Sequence, residues 1–133
     1  MLAFLSPEWI EALDEALAAD AAVARMAEHL DLTIEQDIAG GPDGDVRYHL
    51  AFVRGEASVR PGPAPEATVR LSQDLATAAA IATGATSAQR AFMAGRLRIG
   101  GDLRVLLDHG DVLAQVSDVF AAVRDRTDFP DLG

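Results

Sequence analysis

The side chains able to do chemistry in this 133-residue sequence are scattered. His29, His49 and His109 stand far apart and show no paired ligand spacing, and cysteine is absent. A zinc site needs about four ligands, often at short local spacings, and none are present here. His49 falls between Tyr48 and Leu50 in an alternating run, which turns it toward water. Ser6, Ser58, Ser72, Ser87 and Ser117 lie outside any Gly-x-Ser-x-Gly elbow. Ser6, Ser72 and Ser87 read as cap or first-turn positions. Glu11, Asp14 and Glu15 share the polar face of a helix, where charges are ordinarily solvated. General acid–base work needs a carboxylate in a desolvated cleft. Asp74 and Asp102 come closest, and both are better explained as helix-start residues. "GGPDGD", Gly40 to Asp45, lacks the alternating oxygen ligands and closing Glu of a calcium loop, and reads as a hairpin turn. No catalytic residue, metal or cofactor is expected.

One stretch keeps a chemical question open: "AFMAGRLRIGGD", Ala91 to Asp102. A phosphate loop follows a strand, carries spaced glycines and opens a helix with its N–H groups toward the anion. Gly100-Gly101 meets part of that description, yet the Gly-x-Gly-x-x-Gly and Gly-Lys-Ser/Thr patterns are both absent. Acidic Asp102 takes the cap position where an anion would sit. Arg96 and Arg98 share one face of a short strand, opposite Leu97 and Ile99.

Composition narrows the partners. Eleven basic residues, all arginine, face 21 acidic ones, for a formal net charge of −10. That balance disfavours nonspecific nucleic-acid binding and stable membrane adsorption, while brief local contact stays open. The lysine-free, Ala/Arg/Asp/Gly-rich usage suggests a high-GC, bacterial coding bias. "MLAFLSPEWIEAL" lacks a positive n-region and a cleavage pattern, and no apolar run approaches the ~20 residues of a membrane span. A cytoplasmic location is the expectation.

The elements that must position these residues follow from periodicity. Ser6 caps a helix with Pro7 at its first position, and Leu5 and Ile10 form a hydrophobic staple. Trp9, Ile10, Leu13, Ala16, Leu17, Val23, Ala24, Ala27 and Leu30 recur at helical spacing. "LTIEQDI", "VRYHLAF", "EASVR" and "EATVRLS" each alternate apolar and polar residues, which reads as an antiparallel sheet with one wet face. A proline-rich connection precedes the fourth. Ser72 then caps "QDLATAAAIATG", Thr86 and Gln89 have capping-box spacing, "RLRI" has the length of a fifth strand, Asp102 caps "LRVLLDH", and Asp111 caps the last helix. Grouped strands with helices at both ends predict an α+β fold, a five-stranded mostly antiparallel sheet with helices packed on one face. Residues 1–133 read as a single domain with a loose tail over 125–133. Gln36 interrupts the apolar face of the first strand. It either meets a ligand head group or is turned out by a bulge; the bulge is favoured, because a buried unpaired amide costs ~1–3 kcal/mol.

"AFMAGRLRIGGD" resembles a signature of the sterol carrier protein type two family, the sterol-binding domains. Ala91, Phe92, Gly95, Arg96, Leu97, Arg98, Ile99, Gly101 and Asp102 carry the likeness, and "EATVRLS" followed by "QDLATAAAIATG" repeats the family's order of elements. The likeness covers about Leu32 to Val116. The resemblance implies an apolar pocket or tunnel between sheet and helices that binds lipids or other hydrophobic small molecules without catalysis. The residues expected to line it are Trp9, Leu13, Leu50, Phe52, Leu75, Ile81, Phe92, Leu97, Ile99, Leu103 and Leu107, with Val116 and Phe120 as a lid. The same residues can instead fill a dense core. Two other roles then stand beside lipid transfer: a protein-interaction module that forms a homodimer, or an accessory subunit of an enzyme. The chain ends in Asp-Leu-Gly, without the peroxisomal address of animal members.

Overall fold

The computed structural model describes residues 1–41 and 44–129. In chain order the elements are β1 (Leu2–Ala3), α1 (Pro7–Ala19), α2 (Ala21–Ala27), β2 (Asp31–Gly41), β3 (Gly44–Val53), β4 (Glu56–Pro61) and β5 (Val69–Asp74). Then come α3 (Leu75–Thr83), α4 (Ala88–Met93), β6 (Arg98–Gly101), α5 (Leu103–Asp108), α6 (Gly110–Arg124) and β7 (Thr127–Asp128).

Local polar groups set the helix boundaries. Ser6 Oγ accepts from the Trp9 N–H at 3.2 Å and starts α1. The long first helix expected from periodicity is broken at Asp20, whose extended backbone ends α1 and whose Oδ1 accepts from the Val23 N–H to start α2. A side chain that competes for a free N–H outweighs an uninterrupted apolar stripe. Three other cap assignments move in the same way. Asp74, two residues past Ser72, caps α3 through the Thr77 N–H. Ser87 caps α4, in place of the Thr86–Gln89 box. His109, without a side-chain bond, precedes α6 where Asp111 was expected. Asp102 does cap α5, at 3.1 Å from the Arg104 N–H.

The main sheet has the order β4-β3-β2-β5-β6, mostly antiparallel as expected. One pairing differs from the all-antiparallel reading of the first four strands: β2 and β5 run parallel at its centre. The proline-rich connection between β4 and β5 crosses the sheet face opposite the helices. There Ala64 N–H donates to Glu35 Oε1 at 2.9 Å, and Gly62 O lies 3.0 Å from His49 Nδ1. β3 turns into β4 through Arg54 and Gly55, both at positive φ (51° and 84°), the pattern of a two-residue hairpin. The hairpin turn expected over "GGPDGD" includes Pro42 and Asp43, which lie outside the described residues. Residues 127–128 of the expected loose tail pair in parallel with Leu2–Ala3.

Helices cover one face. α1 packs along β4, α3 rests on β2 and β5, and α6 contacts α1, α2, α3 and α5. The core lies beneath α1 and α6, with Leu13 and Phe52 at 0 % exposure and Leu17, Leu32 and Val59 nearly so. Full burial of each such side chain is worth about 1.5–3 kcal/mol. Gln115 Nε2 donates to both Asp20 oxygens and Arg124 Nε donates to Ala82 O, which fixes α6 over its neighbours. Trp9 Nε1 donates to Thr127 Oγ1, and the indole meets Phe4, Tyr48 and Phe120 edge-on.

Gly101 closes β6 at φ 89°, and a Cβ there would collide with Thr68 O. Gly101→Ala is therefore expected to cost about 2–4 kcal/mol through strain and a backbone clash. Urea unfolding checks this, and an unchanged midpoint would contradict it.

Candidate functional site

Alternation assigns the two sheet faces. Leu32, Ile34, Gln36 and Ile38 of β2 look toward the helices; Thr33, Glu35 and Asp37 look away. Opposite them, Phe52, Leu50, Tyr48 and Val46 take the helix side, and Ala51, His49 and Arg47 the other. On β5 and β6 the helix side carries Val69, Leu71, Gln73 and Ile99.

The helix-facing surface divides into two parts. Beneath α1 and α6 it is covered: Trp9, Leu13, Leu50, Phe52 and Val116 are buried in one apolar cluster. Toward β6 the covering thins. Leu97 is buried but stands apart from the main core cluster, as do half-buried Ile81 and Ile99. Leu75 and Phe120 are half-buried against the edge of that cluster. Phe92, Leu103 and Leu107 are exposed. The thirteen residues expected around one pocket thus fall into a buried group and a less covered end. Short helices explain the difference. α4 and α5 have six residues each, about 9 Å of helix, against about 22 Å for the 15 residues of α6.

Polar groups also stand on the helix side: Gln36 on β2, Gln73 on β5, and Tyr48 within the core cluster. Gln36 is in regular register with Tyr48 and Leu71, so no bulge turns it out; the β2–β3 register shifts only beyond Ile38. Its partner is Gln73, whose Nε2 donates to Gln36 Oε1 at 2.9 Å. Gln73 Oε1 is buried without a partner among the described residues. This amide pair escaped the sequence reading because the two residues meet only through the parallel β2–β5 ladder. Burial pushes the Tyr48 phenol pKa well up, which keeps it neutral and a proton donor.

The opposite face holds a second polar group that periodicity did not reveal. Glu35 is 2 % exposed, covered by the proline-rich connection. Burial raises its carboxyl pKa, but the Ala64 N–H, Asp37 and the Arg70 and Arg47 guanidiniums outweigh it and hold it below the usual range. Arg70 Nε is 3.4 Å from Glu35 Oε2. Burial, and then the Glu35 carboxylate beside it, push Asp37 up, against the pull of Arg47 and Arg70. Nearby, an open cavity of about 610 Å³ is lined by Asp37, Asp45, Arg47, Ser72, Asp74, Arg96 and Arg98. Another of about 460 Å³ lies among Glu8, Glu11, Glu15 and Arg126. Both have mixed walls: charged side chains stand beside Ile38, Val46 and Gln73 in the first, and beside Met1, Leu2 and Ala12 in the second. Among the described residues no group of three or more His, Cys, Asp or Glu is arranged to hold a metal ion.

A raised folded-state pKa means that ionising Asp37 destabilises the fold above that pKa. The penalty fades as pH falls toward the ordinary aspartate value, where both states are protonated. Asp37→Asn is expected to match or exceed the parent's stability at pH 7, with an advantage that shrinks on acidification. Urea midpoints at several pH values read this; an advantage that grows on acidification would contradict it.

Comparison with known proteins bears on this arrangement. A family model described as the SCP-2 sterol transfer family matches residues 10–114. A protein of Thermus thermophilus, described as possibly a sterol carrier protein, is 21% identical with a TM-score of 0.73; the match covers 98% of this chain and 94% of that one. A crystal structure of sterol carrier protein 2 is also 21% identical, with a TM-score of 0.72 over 89% of this chain and 97% of its own. A palmitated sterol carrier protein 2-like structure from Aedes aegypti is 16% identical, with a TM-score of 0.53 over 84% and 93%. No curated protein matches the sequence.

Proposed function

Because the chain belongs to the SCP-2 sterol transfer family, we propose that it binds and transfers lipids or other hydrophobic small molecules, without catalysis, at the β6 end of its helix-facing surface. The observation that carries this reading is the incomplete cover over β5 and β6. Leu75, Ile81 and Ile99 are half-buried there, and α5 has no buried residue at all. An acyl chain laid against these side chains removes apolar surface from water on both partners, at about 0.8 kcal/mol for each buried methylene, before the cost of immobilising the ligand. The palmitated mosquito relative supports an acyl ligand. Gln73 Oε1, short of a donor, supports a ligand whose polar end carries a hydroxyl or protonated carboxyl.

In this reading Ile81, Ile99 and Leu103 line the entrance. Phe92 stands at its rim, and Val116 and Phe120 of α6 form the inner wall. Leu97 closes the floor. Trp9, Leu13, Leu50 and Phe52 hold the scaffold, and ligand contact with them requires α1 or α6 to move. The protein works as one domain in the cytoplasm. No helix among the described residues is long and apolar enough to cross a membrane, which is compatible with that location.

Displacement of a fluorescent fatty acid from delipidated protein tests the proposal. Saturable binding is expected, and none for any long-chain ligand would overturn it. Ile99→Glu places a charge beside the proposed entrance on an edge strand. It is expected to weaken binding at least roughly tenfold with little change in unfolding midpoint. Unchanged affinity would move the site away from β6.

A further inference from the structure

The short strand β6 stands between two helices that bury almost nothing. α4 buries only Ala91, and α5 buries no residue. Val105 and Leu106 of α5 pack half-buried against the core, but four other apolar side chains turn outward: Phe92 is 42 % exposed, Met93 77 %, Leu103 40 % and Leu107 75 %. Grouped exposed side chains of this size mark an interaction surface more often than chance placement.

The charge around them is unlike that of the rest of the chain. From Ala88 to Asp108, the span of α4, β6 and α5, four arginines, Arg90, Arg96, Arg98 and Arg104, stand against two acids, Asp102 and Asp108, in a chain of net charge −10. Asp102 Oδ1 accepts from the Arg104 backbone N–H, and the carboxylate keeps its charge. All four arginines are exposed, and no ion pair among the described residues involves any of them. Outward apolar side chains interleaved with guanidinium groups fit an anionic bilayer. The first enter the boundary between headgroups and acyl chains, and the second meet lipid phosphates. Screening limits the field to about 8 Å at physiological salt, so the edge's own residues govern contact: four arginines outnumber Asp102 and Asp108 there, and Asp37, Asp45 and Asp74 line one cavity with Arg96 and Arg98. A second copy of this chain fits less well, because a two-fold interface sets the patch against itself and brings the two arginine clusters together.

We propose that the edge formed by α4, β6 and α5 is a reversible docking surface for an anionic lipid bilayer. Docking there presents the proposed ligand entrance to the membrane. The biological sense of this surface rests on the lipid-transfer reading, but vesicle binding is measured without cargo.

The test is sedimentation of the full chain with vesicles of phosphatidylcholine containing about 30 % phosphatidylserine, and with phosphatidylcholine alone. Binding to the anionic vesicles is expected, weakened at about 0.5 M salt. Met93→Asp and the double change Arg90→Glu with Arg104→Glu alter exposed side chains outside the proposed entrance. Each is expected to lower partitioning at least roughly tenfold. Circular dichroism, and fatty-acid displacement in vesicle-free solution, should stay as in the parent. Equal binding to neutral and anionic vesicles, or variants that bind like the parent, would overturn the proposal. So would absent vesicle binding together with a dimer that Met93→Asp dissolves in light scattering, which assigns the surface to a second copy. Anionic vesicle binding without fatty-acid binding would sustain the docking surface and remove the cargo.

Discussion

A single-layer sheet must keep its apolar face from water, and everything else in this chain is arranged around that constraint. Five strands span about 19 Å between the outer two. The helices long enough to cover such a width are α1, which packs on β4, and α6, which lies against α1, α2, α3 and α5. Trp9 fixes them there. Its ring packs between Phe4, Tyr48 and Phe120, and its N–H reaches Thr127 beyond the end of α6. α3, which packs on β2 and β5, has nine residues, and the helices flanking β6 have six each. One half of the sheet is thereby closed and the other is left with apolar side chains in partial contact with water.

That asymmetry is also chemical. The closed half holds large buried aliphatic and aromatic side chains, Leu13, Leu17, Leu32 and Phe52 among them. The open half gathers an amide pair, outward apolar residues and four arginines that form no ion pair among the described residues. A ligand that is apolar along its length and polar at one end matches this distribution. The opposite sheet face does different work: Glu35 fastens the proline-rich connection, which lets β5 return beside β2 in parallel.

Much of this was legible in the sequence because it is local. The Ser6 cap, the Arg54-Gly55 turn, the alternation in "VRYHLAF" and the glycines around "RLRI" each follow from neighbours a few residues away. The α+β class and the number of strands in the main sheet came from the same signals, and the family likeness rested on a twelve-residue stretch. What stayed hidden depends on distant partners. The parallel β2–β5 pairing joins residues 35 apart, and it alone brings Gln36 to Gln73. Glu35 looked like an outward strand residue until the proline-rich connection folded over it. Helical spacing also cannot report depth. Leu13 and Leu107 both read as inward positions, yet one is fully buried and the other mostly exposed.

The central claim is that the space over β5 and β6 is completed by a lipid. Native mass spectrometry of the protein, purified without detergent or added lipid, tests it most directly. The account predicts a population heavier than the bare chain by the mass of one lipid, released on organic extraction and restored by a long-chain fatty acid. A spectrum that holds the bare chain alone, before and after incubation with fatty acid, would contradict it.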